Sequence, residues 1–354
     1  MILHIFPYEK FTYDYITKIN KMFDKSKHVF WVYGELGSDV IKSVEADNVI
    51  FSKNFHSNYK ELVNLLINIV KADKVIFHSM FFKQGYFLLL SCLVPFCVKK
   101  FFWIIWGADL YNAYWERDLS FKRRIKECCR RYIIRHIPHV GYIPGDYFYL
   151  KKKYKTNADF YLASYAYDFF IPQRSEEKKD SEVINILLGN SATRECCYCE
   201  MLEQLSQYKN LPIHVFCVLS YPSEDVYRNE VTELGYSLLG EKFEPLVEFL
   251  PYEKYISLLN GIDIAIFNHN RQQALGNIAS LLHLGKRVYI NPQNACKSYF
   301  EEMGAIVFST EDISSQTFVK EDTENMKSNN RKVIEKFFSD EKFADRWRAI
   351  FESK

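Results

Sequence analysis

The chain has 354 residues, enough for two domains with a core each. Hydrophobic residues make up 48% and charged residues 25%, which excludes a disordered chain, and a formal net charge of only +2 argues against a nucleic-acid-binding field. Nine cysteines without an even framework, and an opening that reads directly as a strand, lead us to expect a reducing cytosol.

Residues 2–6 read as a first strand and 11–23 as a helix with Tyr15, Ile19 and Phe23 on one stripe. His28 to Tyr33 reads as a second strand, 59–70 as an amphipathic helix, and Val75 to His78 as the strand after it. An apolar helix is expected over 86–97; it is too short to span a bilayer and contains Pro95. Phe101 to Trp106 follows as a strand, Phe121 to His136 as a basic helix and His139 to Ile143 as a short strand, and Gly145-Asp146 opens another helix. This alternation predicts a doubly wound parallel sheet.

Residues 173–182 are charged and non-periodic, which places the linker there, between a first domain over 1–172 and a second over 183–327. The alternation then resumes. Strands are expected at 183–188, 213–219, 247–249, 262–267 and 287–290, and helices up to about 208, over 226–234 and over 252–259. A single amphipathic helix is expected over 330–353, with Val333, Phe337, Trp347 and Phe351 as its apolar face.

The most informative stretch is Arg271 to Asn277. It follows the strand ending at Phe267 and precedes a helix carrying Ile278, Leu281 and Leu282, so it lies at a strand's carboxyl end, where open α/β sheets bind ligands. Gly276 permits close approach of a ligand, the helix N-terminus offers N–H groups to an anion, and Arg271 adds a forked cation. The same residues also suit a solvated loop and a turn. Gly189, Asn190, Ser191, Thr193 and Arg194 form a second such turn, which offers donors to a phosphate or simply caps a helix. There is no Walker lysine and no glycine-rich dinucleotide fingerprint.

Asp109 ends the motif Trp106-Gly107-Ala108-Asp109 at another strand terminus, where it suits a general base or a helix cap. His78 ends the preceding strand and His4 lies in the first; either suits a donor to substrate or a satisfied core residue. Cys196 to Cys199 contains one CxxC with no second pair, so packed thiols are expected rather than zinc. The helix Phe121–His136 carries seven Lys/Arg against one Glu, with Ile125, Cys128, Cys129, Tyr132 and Ile133 between them, and Lys151 to Lys155 adds a second basic run. This pattern fits an anionic lipid surface or a solvated face.

Together IIWGADLY (104–111), LLGNSATR (187–194), the Tyr221-Pro222 pair and RQQALGN (271–277) resemble the bacterial TDP-N-acetylfucosamine:lipid II N-acetylfucosaminyltransferases, glycosyltransferase family 56. The resemblance implies a GT-B architecture: two Rossmann-like domains facing across a cleft, the first for the acceptor and the second for the nucleotide sugar. It also implies that 328–354 crosses back to the first domain. The expected reaction moves a deoxy-amino sugar from a TDP-sugar to an undecaprenyl-diphosphate-linked oligosaccharide, in enterobacterial common antigen or O-antigen synthesis. That places the chain at the cytoplasmic face of the bacterial inner membrane, held peripherally through Phe121–His136, with no nucleic-acid partner.

On the same resemblance, Gly276, Asn277 and the turn of Gly189, Asn190, Ser191 and Thr193 hold the diphosphate, and Arg271 or Arg194 stabilises the leaving group. Tyr221 or Tyr252 walls the nucleobase. Many GT-B enzymes carry two glutamates eight positions apart near the donor loop; Gln272 and Ser280 stand there in this chain. Gln272 or Gln273 would then bond the ribose or sugar as neutral groups. Asp109 orients or deprotonates the acceptor hydroxyl, and His78, Trp106 and Tyr111 lie on the acceptor side. No DxD motif is apparent, so neither a metal nor a resident cofactor is expected. Two rival readings are a nucleotide-sugar epimerase or hydrolase of the same fold, which calls for further carboxylates or histidines at the donor loop, and a non-catalytic sugar- or lipid-binding scaffold.

Overall fold

A computed structural model of the chain describes residues 1–9, 11–34, 46–52, 59–80, 95–111, 120–165, 182–220, 225–318 and 323–353. The chain divides into two units, Met1–Phe169 with Phe338–Lys354, and Phe170–Phe337. Of the expected linker, only Glu182 is among the described residues.

The first unit contains β1 (Ile2–Pro7), α1 (Thr12–Met22), β2 (His28–Tyr33), β3 (Val49–Ser52), α2 (Tyr59–Lys71), β4 (Lys74–His78), β5 (Phe101–Ile104), α3 (Phe121–His136), β6 (His139–Tyr142), α4 (Pro144–Tyr154) and β7 (Asp159–Leu162). Its strands pair in parallel in the order β3-β2-β1-β4-β5-β6-β7. Every residue of β4, β5 and β6 is buried, as in central parallel strands; they are mainly apolar, with Lys74, His78 and His139 at strand ends. The apolar helix expected over 86–97 falls outside the described residues up to 94, and Pro95–Lys100 forms a 3₁₀ helix instead.

The second unit contains β8 (Ile184–Leu188), α5 (Tyr198–Ser206), β9 (Ile213–Val218), α6 (Asp225–Leu239), β10 (Phe243–Leu246), α7 (Tyr252–Gly261), β11 (Ile264–Phe267), α8 (Leu275–His283), β12 (Arg287–Ile290), α9 (Ala295–Glu302), β13 (Phe308–Ser309) and α10 (Glu324–Phe337). Its strands are parallel in the order β10-β9-β8-β11-β12-β13. The strand expected at 247–249 lies earlier, at β10, while Val247 and Phe249 are exposed. Phe243 sets this register. Its ring packs on α6 at Gly235, where a Cβ would sit 2.4 Å from it.

The final helix is two helices. Phe338 and Ser339 separate α10 from α11 (Asp340–Glu352), and the Ser339 hydroxyl caps α11 by accepting from Lys342 N. The apolar stripe already carried the break. Phe337 and Trp347 are ten residues apart, which in one helix sets them roughly 80° out of line. α10 stays with the second unit, while α11 belongs to the first. There the Trp347 indole donates to Ser164 O at 2.7 Å, and Lys74 Nζ from β4 donates to Ile350 O and Ser353 O, both at 2.6 Å. A cation on the last carbonyls complements the helix dipole.

Candidate active site

In the second unit the two expected turns come together. Gly189 sits at φ +67, and a Cβ there would lie 2.2 Å from the Tyr198 hydroxyl, so only glycine fits. Across from it, Gln273 Nε2 donates to Asn190 Oδ1 at 2.9 Å and to Ser191 Oγ. The Ser191 and Thr193 hydroxyls stand 3.3 Å apart, and both reach Cys196 Sγ. Burial alone would raise the Cys196 thiol; His269 beside it and the two hydroxyls bring it down to about 6. The single CxxC therefore supplies Cys196 as part of this cluster. Among the described residues no group of His, Cys, Asp or Glu is arranged to hold a metal ion.

α8 starts three residues earlier than its apolar spacing suggests, at Leu275, so Gly276 and Asn277 occupy its first turn and both are half-buried. First-turn N–H groups have no partner inside the helix. Ala274 caps it in the left-handed region at φ 62, a costly conformation for a residue with a Cβ. Arg271 lies half-buried beside this turn and donates to Gln272 O at 3.2 Å.

Several buried polar atoms gather around these loops without a hydrogen-bond partner among the described residues. They are Oε1 of Gln272, Oε1 of Gln273, and Nδ2 of Asn294, the cap residue of α9, with the His269 ring beside Cys196. Cys296, two residues after Asn294, reaches Gln273 O through its thiol at 3.6 Å and joins α9 to the group. Each orphaned group costs about 1–3 kcal/mol, which a ligand supplying the missing partners would relieve. His269 and Asn294 were missed from sequence because neither lies in a recognisable motif.

Other expected donor residues lie elsewhere. Arg194 is turned to α6, where it pairs with Glu230 at 3.2 Å and stacks on Tyr227 at 4.7 Å, so Arg271 is the arginine at the cluster. Tyr221 is outside the described residues; Tyr252 opens α7, and its side chain is outside them.

In the first unit Asp109, expected to orient or deprotonate the acceptor hydroxyl or to cap a helix, is enclosed by donors. Asp109 is 0% exposed. Its Oδ2 accepts from Met80 N and Trp103 Nε1, both at 2.8 Å, and its Oδ1 from Trp106 N at 2.9 Å. Burial raises its pKa, against the pull of these donors. This is the bonding of a carboxylate that fastens the ends of β4 and β5. Tyr111 likewise turns inward, donating to Asp146 Oδ1 at 2.9 Å. His78 is fully buried and bonded to Tyr165 and His4, and half-buried Trp106 donates to Tyr165 at 2.6 Å. Tyr165 and His28 escaped the sequence reading, and Arg130, read there as a surface cation, is interior. Arg130, one of the seven cations of α3, is buried: it pairs with Glu127 at 2.8 Å and donates to Asp109 O and Tyr154 Oη.

Two doubly wound parallel sheets, with a cluster of polar loops at the carboxyl ends of β8 and β11, define the GT-B fold. The same fold appears in a glycosyltransferase from Rickettsia africae (15% identity, 99% of this chain and 97% of that one, TM-score 0.67). It appears also in the Anabaena protein HepE, solved with UDP and glucose (10% identity, all of both chains, TM-score 0.66), and in WaaG, a glycosyltransferase involved in lipopolysaccharide biosynthesis (12% identity, 100% and 96%, TM-score 0.56). A family model, 4-alpha-L-fucosyltransferase glycosyl transferase group 56, matches residues 20–354, and the chain belongs to this family.

Proposed function

We propose that this glycosyltransferase moves a 4-amino-4,6-dideoxy sugar of the N-acetylfucosamine type from a TDP-sugar to a lipid-linked oligosaccharide, in the synthesis of a bacterial surface polysaccharide. The observation that carries the donor half is the set of polar atoms without a partner among the described residues on Gln272, Gln273 and Asn294. Neutral amides offer both acceptors and donors to sugar hydroxyls and an acetamido group. Arg271 and the first turn of α8 suit the diphosphate beside them. HepE, of the same fold, was solved with UDP and glucose.

Phe121, Ile125 and Tyr132 on α3 are exposed at 78%, 40% and 41%, with Arg124 exposed among them, and α4 exposes Phe148, Lys151 and Lys152. Mixed apolar and cationic groups of this kind suit the anionic surface of an inner membrane that carries a prenyl-linked acceptor. No described helix is long and apolar enough to cross a membrane.

Mass spectrometry of turnover with TDP-, UDP- and GDP-sugars and a prenyl-diphosphate acceptor tests the reading. Transfer from the TDP-sugar is expected. Nucleotide release without an acceptor would favour hydrolysis, and no release from any donor would favour a scaffold.

A further inference from the structure

Three histidines stand in line on the sheet of the first unit. His28 opens β2, His4 lies in β1 and His78 closes β4, and these strands are neighbours. Nδ1 of His28 is 3.0 Å from Nε2 of His4, and Nδ1 of His4 is 3.2 Å from Nε2 of His78. Nδ1 of His78 is 2.8 Å from Tyr165 Oη, which receives the Trp106 indole N–H at 2.6 Å. His4 and His78 are wholly buried, and His28 nearly so.

An indole N–H only donates, so Tyr165 Oη accepts from Trp106 and keeps its own proton to give. Given to His78 Nδ1, that proton makes His78 the Nε2–H tautomer, donating to His4 Nδ1, which the Tyr15 hydroxyl also approaches at 3.4 Å. His4 and His28 then take the same tautomer. The two ends differ in setting. Trp106 and Tyr165 follow the carboxyl ends of β5 and β7, the edge where parallel sheets bind ligands. His28 stands at the opposite edge, after the exposed turn 24–27. Ser79, directly after His78, holds φ 85, a strained value of the sort found beside working groups.

We infer that Tyr165 takes the proton of the acceptor hydroxyl, and that His78, His4 and His28 pass a proton on through the domain to solvent. This rests on the reading that the first unit receives the acceptor. The acceptor oxygen forms its bond to the anomeric carbon while the bond from that carbon to the diphosphate breaks, its electron pair leaving with the nucleoside diphosphate. The acceptor proton passes to Tyr165 Oη, and the Tyr165 proton to His78 Nδ1. The Nε2 proton of His78 passes to His4 Nδ1, that of His4 to His28 Nδ1, and that of His28 to water. No ring ends the sequence charged, so the burial that disfavours an imidazolium does not oppose it. When water replaces the product, Tyr165 releases its proton to that water, His28 takes one from solvent, and the tautomers reset.

Two measurements on the full chain test this separately. Nitrogen-15 NMR of labelled histidine should show His4, His28 and His78 neutral and Nε2-protonated at pH 7; an Nδ1–H or charged ring at any of them overturns the wire, whatever the enzyme transfers. In kinetics, Tyr165→Phe and His28→Gln should each lower kcat about tenfold or more with donor KM unchanged, within reach of what a lost proton acceptor costs. The dependence of kcat on deuterium fraction should change from curved, as several protons in flight require, to linear in His28→Gln. Wild-type kcat and curvature in both variants would overturn the relay. Absence of any sugar transfer would instead sink the glycosyl-acceptor reading, and the tautomers would still decide the wire.

Discussion

Gln273 donates to Asn190 Oδ1 at 2.9 Å and thereby ties the loop after β11 to the turn after β8. Its amide oxygen is left without a partner among the described residues. One side chain thus holds two loops together and presents an unmet acceptor. Gln273→Leu should weaken binding of the nucleoside diphosphate sugar by about 1–3 kcal/mol, the cost of lost hydrogen bonds, and calorimetry would read it. Affinity equal to wild type would place the donor elsewhere.

The two arginines once interchangeable as leaving-group partners are now distinct. Arg271→Ala should reduce affinity for the diphosphate by about 1.5–3 kcal/mol, as loss of a charged hydrogen bond does. Arg194→Ala removes an exposed pair with Glu230 and should change affinity little. The reverse order in a titration would show that Arg194 leaves Glu230 to meet the ligand.

Asp109→Asn tests a structural role. The amide presents one acceptor oxygen where the carboxylate has two, so at least one of Met80 N, Trp103 Nε1 and Trp106 N loses its partner. The expected loss is about 1–3 kcal/mol for each orphaned donor, read in denaturant, with donor affinity retained. A variant as stable as wild type but inactive would return Asp109 to catalysis.

Acid should destabilise the first unit. Burial lowers His4 and His78 well below 6.5 and His28 to about 4. Unfolded, these rings gain a proton near pH 6.5; folded, they stay neutral, so the unfolded state binds more protons and stability falls from pH 6.5 downward. The loss grows as the pH falls further below 6.5. Asp109, with a raised pKa, acts in the opposite sense, one group against three. Flat stability between pH 6.5 and 5 in denaturant titrations would contradict this.

For the membrane, Arg124, Lys151 and Lys152 are among the exposed cations and are the ones to reverse, since Arg130 is interior. Changing the three to Glu should abolish co-sedimentation with anionic vesicles at low salt, each cation near the surface being worth about 1 kcal/mol. Binding that persists would remove α3 and α4 from the interface.

Much of the fold was legible because its strands are buried on both faces and its helices keep an apolar stripe. β3, β7 and β13 were not, being short edge strands with partly exposed residues. The donor turns could be located from strand ends alone, but their bonding could not: Gln273 joins residues more than eighty positions apart. Asp109 shows the complementary limit. A carboxylate after a strand suits catalysis and anchoring equally, and only its three donors decide. His28 and Tyr165 were invisible for the same reason: each lies in an ordinary apolar neighbourhood and acquires meaning only from what the strand order sets beside it.

Lys74 closes the end of α11, and α11 covers His4, Tyr15 and His78 through Trp347 and Phe351. On the ribosome those residues emerge after the whole of the second unit. The second unit can therefore acquire its core during synthesis, while the first waits with aromatic surface uncovered until its last helix arrives. Nascent chains stalled before Ser339 should be cut by protease in the first unit and spared in the second.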